Sequence, residues 1–286
     1  MAARARRLTL SRRALLGSAA AATLAAGCGE APATQPAPRA GSRRIHYADD
    51  HPDQFADLRL PAGAPVGTLV LLHGGYWQPG YGLDQLDPLA EQMTESGWTT
   101  WNVEYRPIGD GSGWPDPMTD VALAIDRLAR EDLAESVVTL GHSAGGQLAV
   151  WAASRNDATP GGPPLVRPVG AVSLCGVLDL VRAASTPGSR APVTAFAGGS
   201  PAEMPERYAF SDPTLLVPAT CPVWAVHAED DQVVPLEQAT SYVARARAAG
   251  ARAELVTVPG DHFSVIDPRA ASFETVERLV TDAAGA

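Results

Sequence analysis

The sequence predicts one α/β domain, built on a mainly parallel, twisted sheet of about eight strands with helices on both faces. Short apolar, β-prone runs alternate with segments of helical periodicity from residue 43 onwards, and this alternation is typical of parallel sheets joined by right-handed crossovers. The chain has 286 residues, of which 45% are hydrophobic, which is enough for one sizeable core. We therefore place the domain at residues 43–286.

The order of the elements follows from the pattern of apolar residues. Residues 66–72 form a continuous apolar run, which is typical of a strand buried on both faces. Residues 178–217 lack clear periodicity and are rich in Pro, Gly and Ser, so we expect a short cap-like excursion over the mouth of a site. The other predicted strands are 43–48, 56–60, 98–104, 137–140, 169–175, 222–227 and 253–258. The predicted helices are 84–96, 118–128, 147–153, 236–249 and 270–284.

A Gly-His-Ser-Ala-Gly segment at residues 141–145 lies between a predicted strand and a predicted helix. In this context a G-x-S-x-G sequence is typical of a nucleophile elbow, in which a strained turn presents the serine. A Cβ atom at Gly141 or Gly145 would crowd the neighbouring backbone. Ser143 is therefore the candidate nucleophile. The alternative is a Gly-rich turn that only packs a helix on a sheet.

Composition and charge exclude several classes of function. The formal net charge of −10 argues against nucleic acid or an anionic membrane surface as a partner, because both need a basic footprint. All 22 basic residues are arginine, which excludes Ser–Lys hydrolases, Schiff-base chemistry and Walker A loops. No pair of histidines has metal-ligand spacing, and we expect neither a metal nor a cofactor.

The three cysteines allow at most one disulfide. Cys175 ends one predicted strand and Cys221 precedes another, which places them at opposite edges of a parallel sheet. That separation exceeds the Cα distance of roughly 7 Å that a disulfide tolerates. We expect both to be free, small core residues.

Residues 1–27 have the features of an export signal. They contain five arginines and no acidic residue, with an apolar run at 14–26 that is too short to span a membrane. The Ser-Arg-Arg segment 11–13 and the apolar residues after it resemble the twin-arginine signal, which directs folded proteins across a membrane. We expect residues 28–42, which are rich in Ala and Pro, to form a disordered tether.

The segment 24–28 (Leu-Ala-Ala-Gly-Cys) resembles a bacterial lipobox, in which the cysteine is lipidated and becomes the mature N-terminus. Its leucine lies one position further from Cys28 than the usual pattern has it. Two outcomes stay open. One is a lipoprotein at the cell surface or in the periplasm, lipidated at Cys28. The other is cleavage after a small residue and a soluble secreted product.

Two segments after predicted strands offer the groups that would activate a serine. A serine hydroxyl needs a base to take its proton and an acid to orient that base. His262, in the Gly-Asp-His-Phe segment, is the candidate base. Glu229, Asp230 and Asp231 compete for the acid, and Glu229 is disfavoured because it lies closest to its strand. His227 ends a strand, and we expect it to be a satisfied structural histidine.

Together these motifs resemble the α/β-hydrolase fold, in the esterase branch that includes kynurenine formamidase and hormone-sensitive-lipase-type enzymes. The His-Gly-Gly-Tyr-Trp segment 73–77 is similar to the formamidase oxyanion loop. The Tyr-Arg-Pro segment 105–107, with the Trp-Pro pair that follows it, is similar to the segment after the fourth strand. The resemblance covers about residues 43–284. It implies the chain order nucleophile, acid and base, and it assigns the acid to Asp231 through the Val-Pro pattern that follows.

The same resemblance implies an oxyanion hole and a reaction. The backbone N–H groups of Gly75, Tyr76 and Ala144 would stabilise the developing negative charge. Ser143 would attack a carbonyl and form an acyl-enzyme. Tyr76 and Trp77 have two interpretations: they bind substrate as walls of the acyl pocket, or they cover the loop from water.

These features predict an exported serine hydrolase of small carboxylic esters or aryl formamides. N-formylkynurenine is the sharpest candidate that the resemblance offers, but the export signal argues against it because tryptophan catabolism is usually intracellular. Three alternatives stay open: kynurenine formamidase proper, a peptidase of the same fold, and a non-catalytic surface-binding lipoprotein. We expect a small-molecule partner, no nucleic acid, and membrane contact through a lipid anchor only.

Overall fold

The computed structural model describes residues 41–109 and 111–285, which form a sheet with helices on both faces. In the described residues the sheet has eight strands: β1 Arg43–His46, β2 Phe55–Arg59, β3 Thr68–Leu72, β4 Thr99–Val103, β5 Val137–His142, β6 Gly170–Leu174, β7 Val223–Ala228 and β8 Ala253–Val258. Their order in the sheet is β1-β2-β4-β3-β5-β6-β7-β8. β2 is antiparallel to both of its neighbours, β1 and β4, and the six strands from β3 to β8 run parallel to one another. The predicted mainly parallel sheet of about eight strands is confirmed.

Helices cover the two faces of the sheet with separate apolar clusters. In the described residues the α-helices are α1 Asp87–Glu95, α2 Asp116–Arg127, α3 Ala144–Ala152, α4 Leu180–Ala183, α5 Arg190–Ala197, α6 Pro205–Ser211, α7 Glu237–Ala248 and α8 Phe273–Ala284. Buried side chains of α2 and α3 share one cluster with the sheet, whereas those of α1 and α8 belong to another. In α8 the buried residues recur at intervals of three or four, the spacing of one helix face.

Two local expectations differ from the structure. The excursion 178–217, which shows no periodicity in sequence, contains the three helices α4, α5 and α6. They have 4, 8 and 7 residues, too few turns for an apolar face to show as a repeat. The predicted helix 84–96 begins instead as a 3₁₀ turn, and α1 starts only at Asp87. Pro88 explains that start, because proline favours the first turn of an α-helix.

Chemically active side chains follow the carboxyl ends of the parallel strands. Since these ends meet at one edge of the sheet, residues distant in sequence converge there. Each of the six parallel strands contributes one such residue within a few positions of its end, namely His73, Glu104, Ser143, Cys175, Asp231 and His262.

The turn between β5 and α3 depends on close backbone approach. A Cβ atom at Gly145 would overlap the carbonyl oxygens of Leu72 and His73, and one at Gly141 would overlap the carbonyl group of Gly145. The expected crowding at both glycines is confirmed. Only glycine lets α3 begin this close to β3 and β5.

The two cysteines in the described residues are free and buried, as expected. Cys175 follows β6 at its carboxyl end, and Cys221 precedes β7 at its amino end. Because β6 and β7 are parallel neighbours, these positions lie at opposite edges of the sheet.

Cys28 and the predicted export signal lie outside the described residues. None of the helices within residues 41–109 and 111–285 combines the length and the apolar character that crossing a bilayer requires.

Candidate active site

Ser143 lies at a strained turn between β5 and α3. Its φ of 53° and ψ of −117° fall outside the regions that non-glycine residues favour, at a cost of about 1–3 kcal/mol. Within the described residues, four backbone hydrogen bonds hold it there. The Ser143 N–H donates to Leu174 O at 2.9 Å. The Ser143 carbonyl accepts from the N–H groups of Gly146 at 3.0 Å, Val177 at 3.2 Å and Gln147 at 3.3 Å. The strain is therefore fixed by the surrounding backbone, as an elbow requires.

Asp231 and His262 are brought together by the loops after β7 and β8. His262 Nδ1 donates to Asp231 Oδ2 at 2.7 Å, and the two side chains are 4% and 1% exposed. The other carboxylate oxygen accepts from the N–H groups of Val233 at 2.8 Å and Val234 at 2.9 Å. Burial disfavours the charged form, but these three donors outweigh it and lower the pKa of Asp231 to about 2. The carboxylate is thus ionised at neutral pH and sets the imidazole tautomer.

Among the three carboxylates of this loop, Asp231 is the one that contacts His262. The residues Glu229 and Asp230 are exposed. Their backbone N–H groups donate to Val258 O and Gly260 O, at 2.9 and 3.0 Å, which ties the acidic loop to the segment that carries His262.

His142 links the turn that carries Ser143 to the loop that carries His262. The sequence did not indicate this contact. Its Nε2 donates to His262 O at 2.7 Å, and the two rings lie 4.6 Å apart between centroids. Burial, with the nearby His262, lowers the pKa of His142 to about 3. This ring is therefore neutral at physiological pH. Since His142 directly precedes Ser143, the hydrogen bond fixes the base relative to the nucleophile.

His227 and Cys175 lie beside the acid. His227 Nε2 donates to Val234 O at 3.0 Å and lies 3.7 Å from Asp231 Oδ2. Its Nδ1 has no hydrogen-bond partner in the described part of the chain. We expected a structural histidine with its hydrogen bonds satisfied, and the structure satisfies only one of the two ring nitrogens. Burial lowers the pKa of His227. Cys175 Sγ accepts from the Ala228 N–H at 3.4 Å.

Within the described residues, one group could hold a metal ion: Cys175, Asp231 and His262, whose ligand atoms lie within 4.8 Å of one another. A metal needs a thiolate and a free imidazole nitrogen. Burial raises the pKa of the Cys175 thiol well above its ordinary range, and His262 Nδ1 already donates to Asp231. These residues therefore fit an acid–base pair better than a metal site.

The loop after β3 lies against the serine. A Cβ atom at Gly74 would lie 3.1 Å from Ser143 Cβ. Gly75, Tyr76 and Trp77 have φ values of 107°, 52° and 57°, and positive φ is strained for bulky aromatic residues. Among the described residues, the N–H groups of Gly75, Tyr76 and Ala144 have no hydrogen-bond acceptor. In the part of the chain that the structure describes, all three predicted oxyanion donors are thus free of protein acceptors.

Trp77 joins this loop to the excursion 178–217. Its side chain is 1% exposed and stacks on Phe196 of α5 at 4.2 Å between ring centroids. Its Nε1 donates to Gln147 Oε1 at 3.2 Å. These contacts favour the interpretation that Trp77 covers the loop. Tyr76 is only partly buried, so both interpretations stay open for its side chain: a wall of the acyl pocket or a cover for the loop.

Two further residues at this edge were missed in the sequence, although a signal for them exists. Glu104 and Cys175 directly follow β4 and β6, and the carboxyl ends of parallel strands carry functional groups in open α/β sheets. Applying that rule to every strand would have found both. The contact of His142 has no such signal, because it joins segments 120 positions apart.

Comparison with known proteins places the chain in a family. The BD-FAE family model matches residues 56–245, which is more than half of the chain.

Similar proteins have names that state a hydrolytic activity, and two of them represent the two kinds of substrate. The probable carboxylic ester hydrolase LipM of Mycobacterium tuberculosis is 30% identical over 210 residues, which are 67% of this chain and 47% of LipM. Kynurenine formamidase of Meyerozyma guilliermondii is 27% identical over 145 residues, which are 49% of this chain and 54% of that enzyme. The chain thus spans about half the length of these relatives.

A solved structure supports the fold. A truncated carbohydrate esterase from gut microbiota superposes with a TM-score of 0.74 at 20% identity, covering 87% of this chain and 99% of that one. At that identity the likeness concerns the fold, and it matches the α/β-hydrolase resemblance of the motifs. With the family match over residues 56–245, the conclusion is that the chain belongs to the BD-FAE family and has the α/β-hydrolase fold.

Proposed function

We propose that the protein is an exported serine hydrolase that cleaves small carboxylic esters or aryl formamides through an acyl-enzyme. The observation that carries the proposal is the buried Asp231–His262 hydrogen bond of 2.7 Å, fixed by His142 beside the strained Ser143. A nucleophile, a base and an orienting acid are the parts that acyl transfer requires.

The proposed reaction uses each part in turn. Ser143 Oγ attacks the substrate carbonyl carbon while His262 Nε2 takes the hydroxyl proton, and Asp231 stabilises the imidazolium. The N–H groups of Gly75, Tyr76 and Ala144 stabilise the oxyanion. His262 then protonates the leaving alcohol or amine. A water molecule, deprotonated by His262, attacks the acyl-enzyme and releases the acid and the free serine.

The relatives support both substrate classes. LipM is named as a probable carboxylic ester hydrolase, which supports an ester substrate. The relative named kynurenine formamidase favours aryl formamide hydrolysis as a second candidate. A non-catalytic binding protein would need neither the ionised acid nor the base oriented by it.

Replacing Ser143 by alanine is expected to abolish turnover, because no other group takes its role in the proposed reaction. Hydrolysis of p-nitrophenyl acetate by wild type and by Ser143→Ala measures this. Ser185→Ala, which changes an exposed serine, is the matched control and should keep the wild-type rate. Equal rates for wild type and Ser143→Ala would refute the serine mechanism. Comparing N-formylkynurenine with a panel of short acyl esters then separates the two substrate classes.

Replacing Asp231 by asparagine is expected to lower kcat by about 10³–10⁴-fold, since the amide no longer fixes the productive tautomer of His262. Asp230→Asn, one residue away and exposed, should change kcat by less than about two-fold. The comparison is made from initial rates on the same ester. A large loss in Asp230→Asn, with little in Asp231→Asn, would move the role of the acid to Asp230.

Export and anchoring are part of the same proposal. Residues 1–27 direct the protein across the membrane, and Cys28 carries the lipid at the cell surface or in the periplasm. The support is the arginine-rich start, the apolar run and the cysteine that follows it.

Replacing Cys28 by serine in the full chain is expected to move the protein from the membrane fraction to the soluble exported fraction, because the lipid anchor is lost. Immunoblots of fractionated cells measure the partition. If wild type and Cys28→Ser partition alike, Cys28 is not a lipid anchor.

A further inference from the structure

The buried His73 and the partly buried Glu104 form a hydrogen-bonded pair next to the loop that carries Gly75 and Tyr76, two of the proposed oxyanion donors. His73 directly follows β3 and is 3% exposed. Its Nε2 lies 2.8 Å from Glu104 Oε1, and its Nδ1 lies 2.8 Å from the carbonyl oxygen of Gly74. The ring also stacks on Tyr105 at 4.2 Å between centroids, and Tyr105 Oη donates to His73 O at 2.8 Å.

These two contacts define the charge on His73. A neutral imidazole has one N–H group, whereas a carboxylate and a carbonyl oxygen both accept. Donating to both therefore requires the imidazolium. The Glu104 carboxylate is held in place to accept the hydrogen bond from His73. It also accepts from the N–H groups of Leu83 at 3.0 Å and Tyr105 at 3.1 Å.

The surrounding charges agree with a protonated His73. Burial by itself lowers the pKa of this ring, but the charge and hydrogen bond of Glu104 and the Gly74 carbonyl raise it above its ordinary value. Asp84 adds to the increase. Two further titratable groups lie beside His73: His142, which is neutral, and Tyr105, whose pKa is raised by burial so that it stays protonated.

The hydrogen bond to Gly74 controls the orientation of the next N–H group. The Gly74 carbonyl and the Gly75 N–H belong to one peptide unit, which is trans, so they point in opposite directions. Holding the carbonyl on the His73 side turns the Gly75 N–H to the opposite side. A charged donor on the carbonyl also polarises the peptide and strengthens its N–H as a donor.

We propose that His73 and Glu104 are positioning residues: their charged pair holds the Gly74–Gly75 peptide so that the Gly75 N–H can stabilise the oxyanion. The inference rests on the proposed function, because it concerns the same transition state. Since the donor acts on the developing oxyanion, loss of the pair should lower kcat more than it raises KM.

The pair also predicts how activity depends on pH. Because Glu104 raises the pKa of His73, the positive charge is present below that pKa and is lost as pH rises through it. In Glu104→Gln the carboxylate is gone and burial dominates, which lowers the pKa of His73. The variant should therefore lose its oriented donor at a lower pH than the wild type.

The test compares kcat–pH profiles of wild type, Glu104→Gln and the matched control Glu91→Gln, which removes an exposed carboxylate on α1. The alkaline limb of kcat should move to lower pH by about one unit or more in Glu104→Gln, and Glu91→Gln should follow the wild type. Above that limb, kcat of Glu104→Gln should fall by up to about 10²–10³-fold, the loss of one oxyanion donor. The proposal is overturned if the alkaline limb of kcat in Glu104→Gln stays at the wild-type pH, even if kcat is lower by the same factor at every pH.

A second measurement does not depend on how Glu104→Gln folds. The ¹⁵N spectrum of the histidine-labelled wild type should show the His73 ring, identified by its loss in His73→Asn, as an imidazolium at neutral pH. A neutral His73 ring there overturns the proposal. Failure of the proposed function can be told apart from failure of this inference. The first appears as activity in Ser143→Ala and leaves the charge on His73 unchanged.

Discussion

The site depends on the close approach of α3 to the strands β3 and β5. This approach exists because Gly141 and Gly145 lack side chains where a Cβ atom would overlap backbone. It forces the residue between them, Ser143, into a φ of 53°. The loop after β3 then lies against the serine, where a Cβ at Gly74 would be 3.1 Å from Ser143 Cβ. Nucleophile and oxyanion loop are thus placed by one packing constraint.

Around this turn, histidines with different environments take different charges. His73 has an acceptor at each ring nitrogen, one of them a carboxylate, and we infer from these partners that its ring is charged. His142 is buried beside other histidines, and the pKa near 3 keeps it neutral. His262 donates to an ionised Asp231, which leaves its Nε2 for the serine in the proposed reaction. The charge state of each ring follows from its partners, and those partners come from the carboxyl ends of different strands.

Much of the fold could be predicted, because apolar runs and helical spacing are local signals. The strand at 253–258 has the predicted bounds, and Asp231 is the loop carboxylate that reaches His262. The helices of the excursion 178–217 could not be predicted, since each has at most eight residues. Nor could the sequence decide between the two interpretations of Trp77, because its burial depends on Phe196, more than a hundred positions away. Contacts of that kind are products of tertiary packing.

The central claim is that Ser143 is a nucleophile activated by His262. The most direct measurement is peptide mapping by mass spectrometry after inactivation with an organophosphate ester, which reacts covalently with an activated serine. The account predicts one phosphoryl group per chain, on the peptide that contains Ser143, and no labelling in Ser143→Ala. Inactivation with the label on another residue, or full activity without any label, would contradict it.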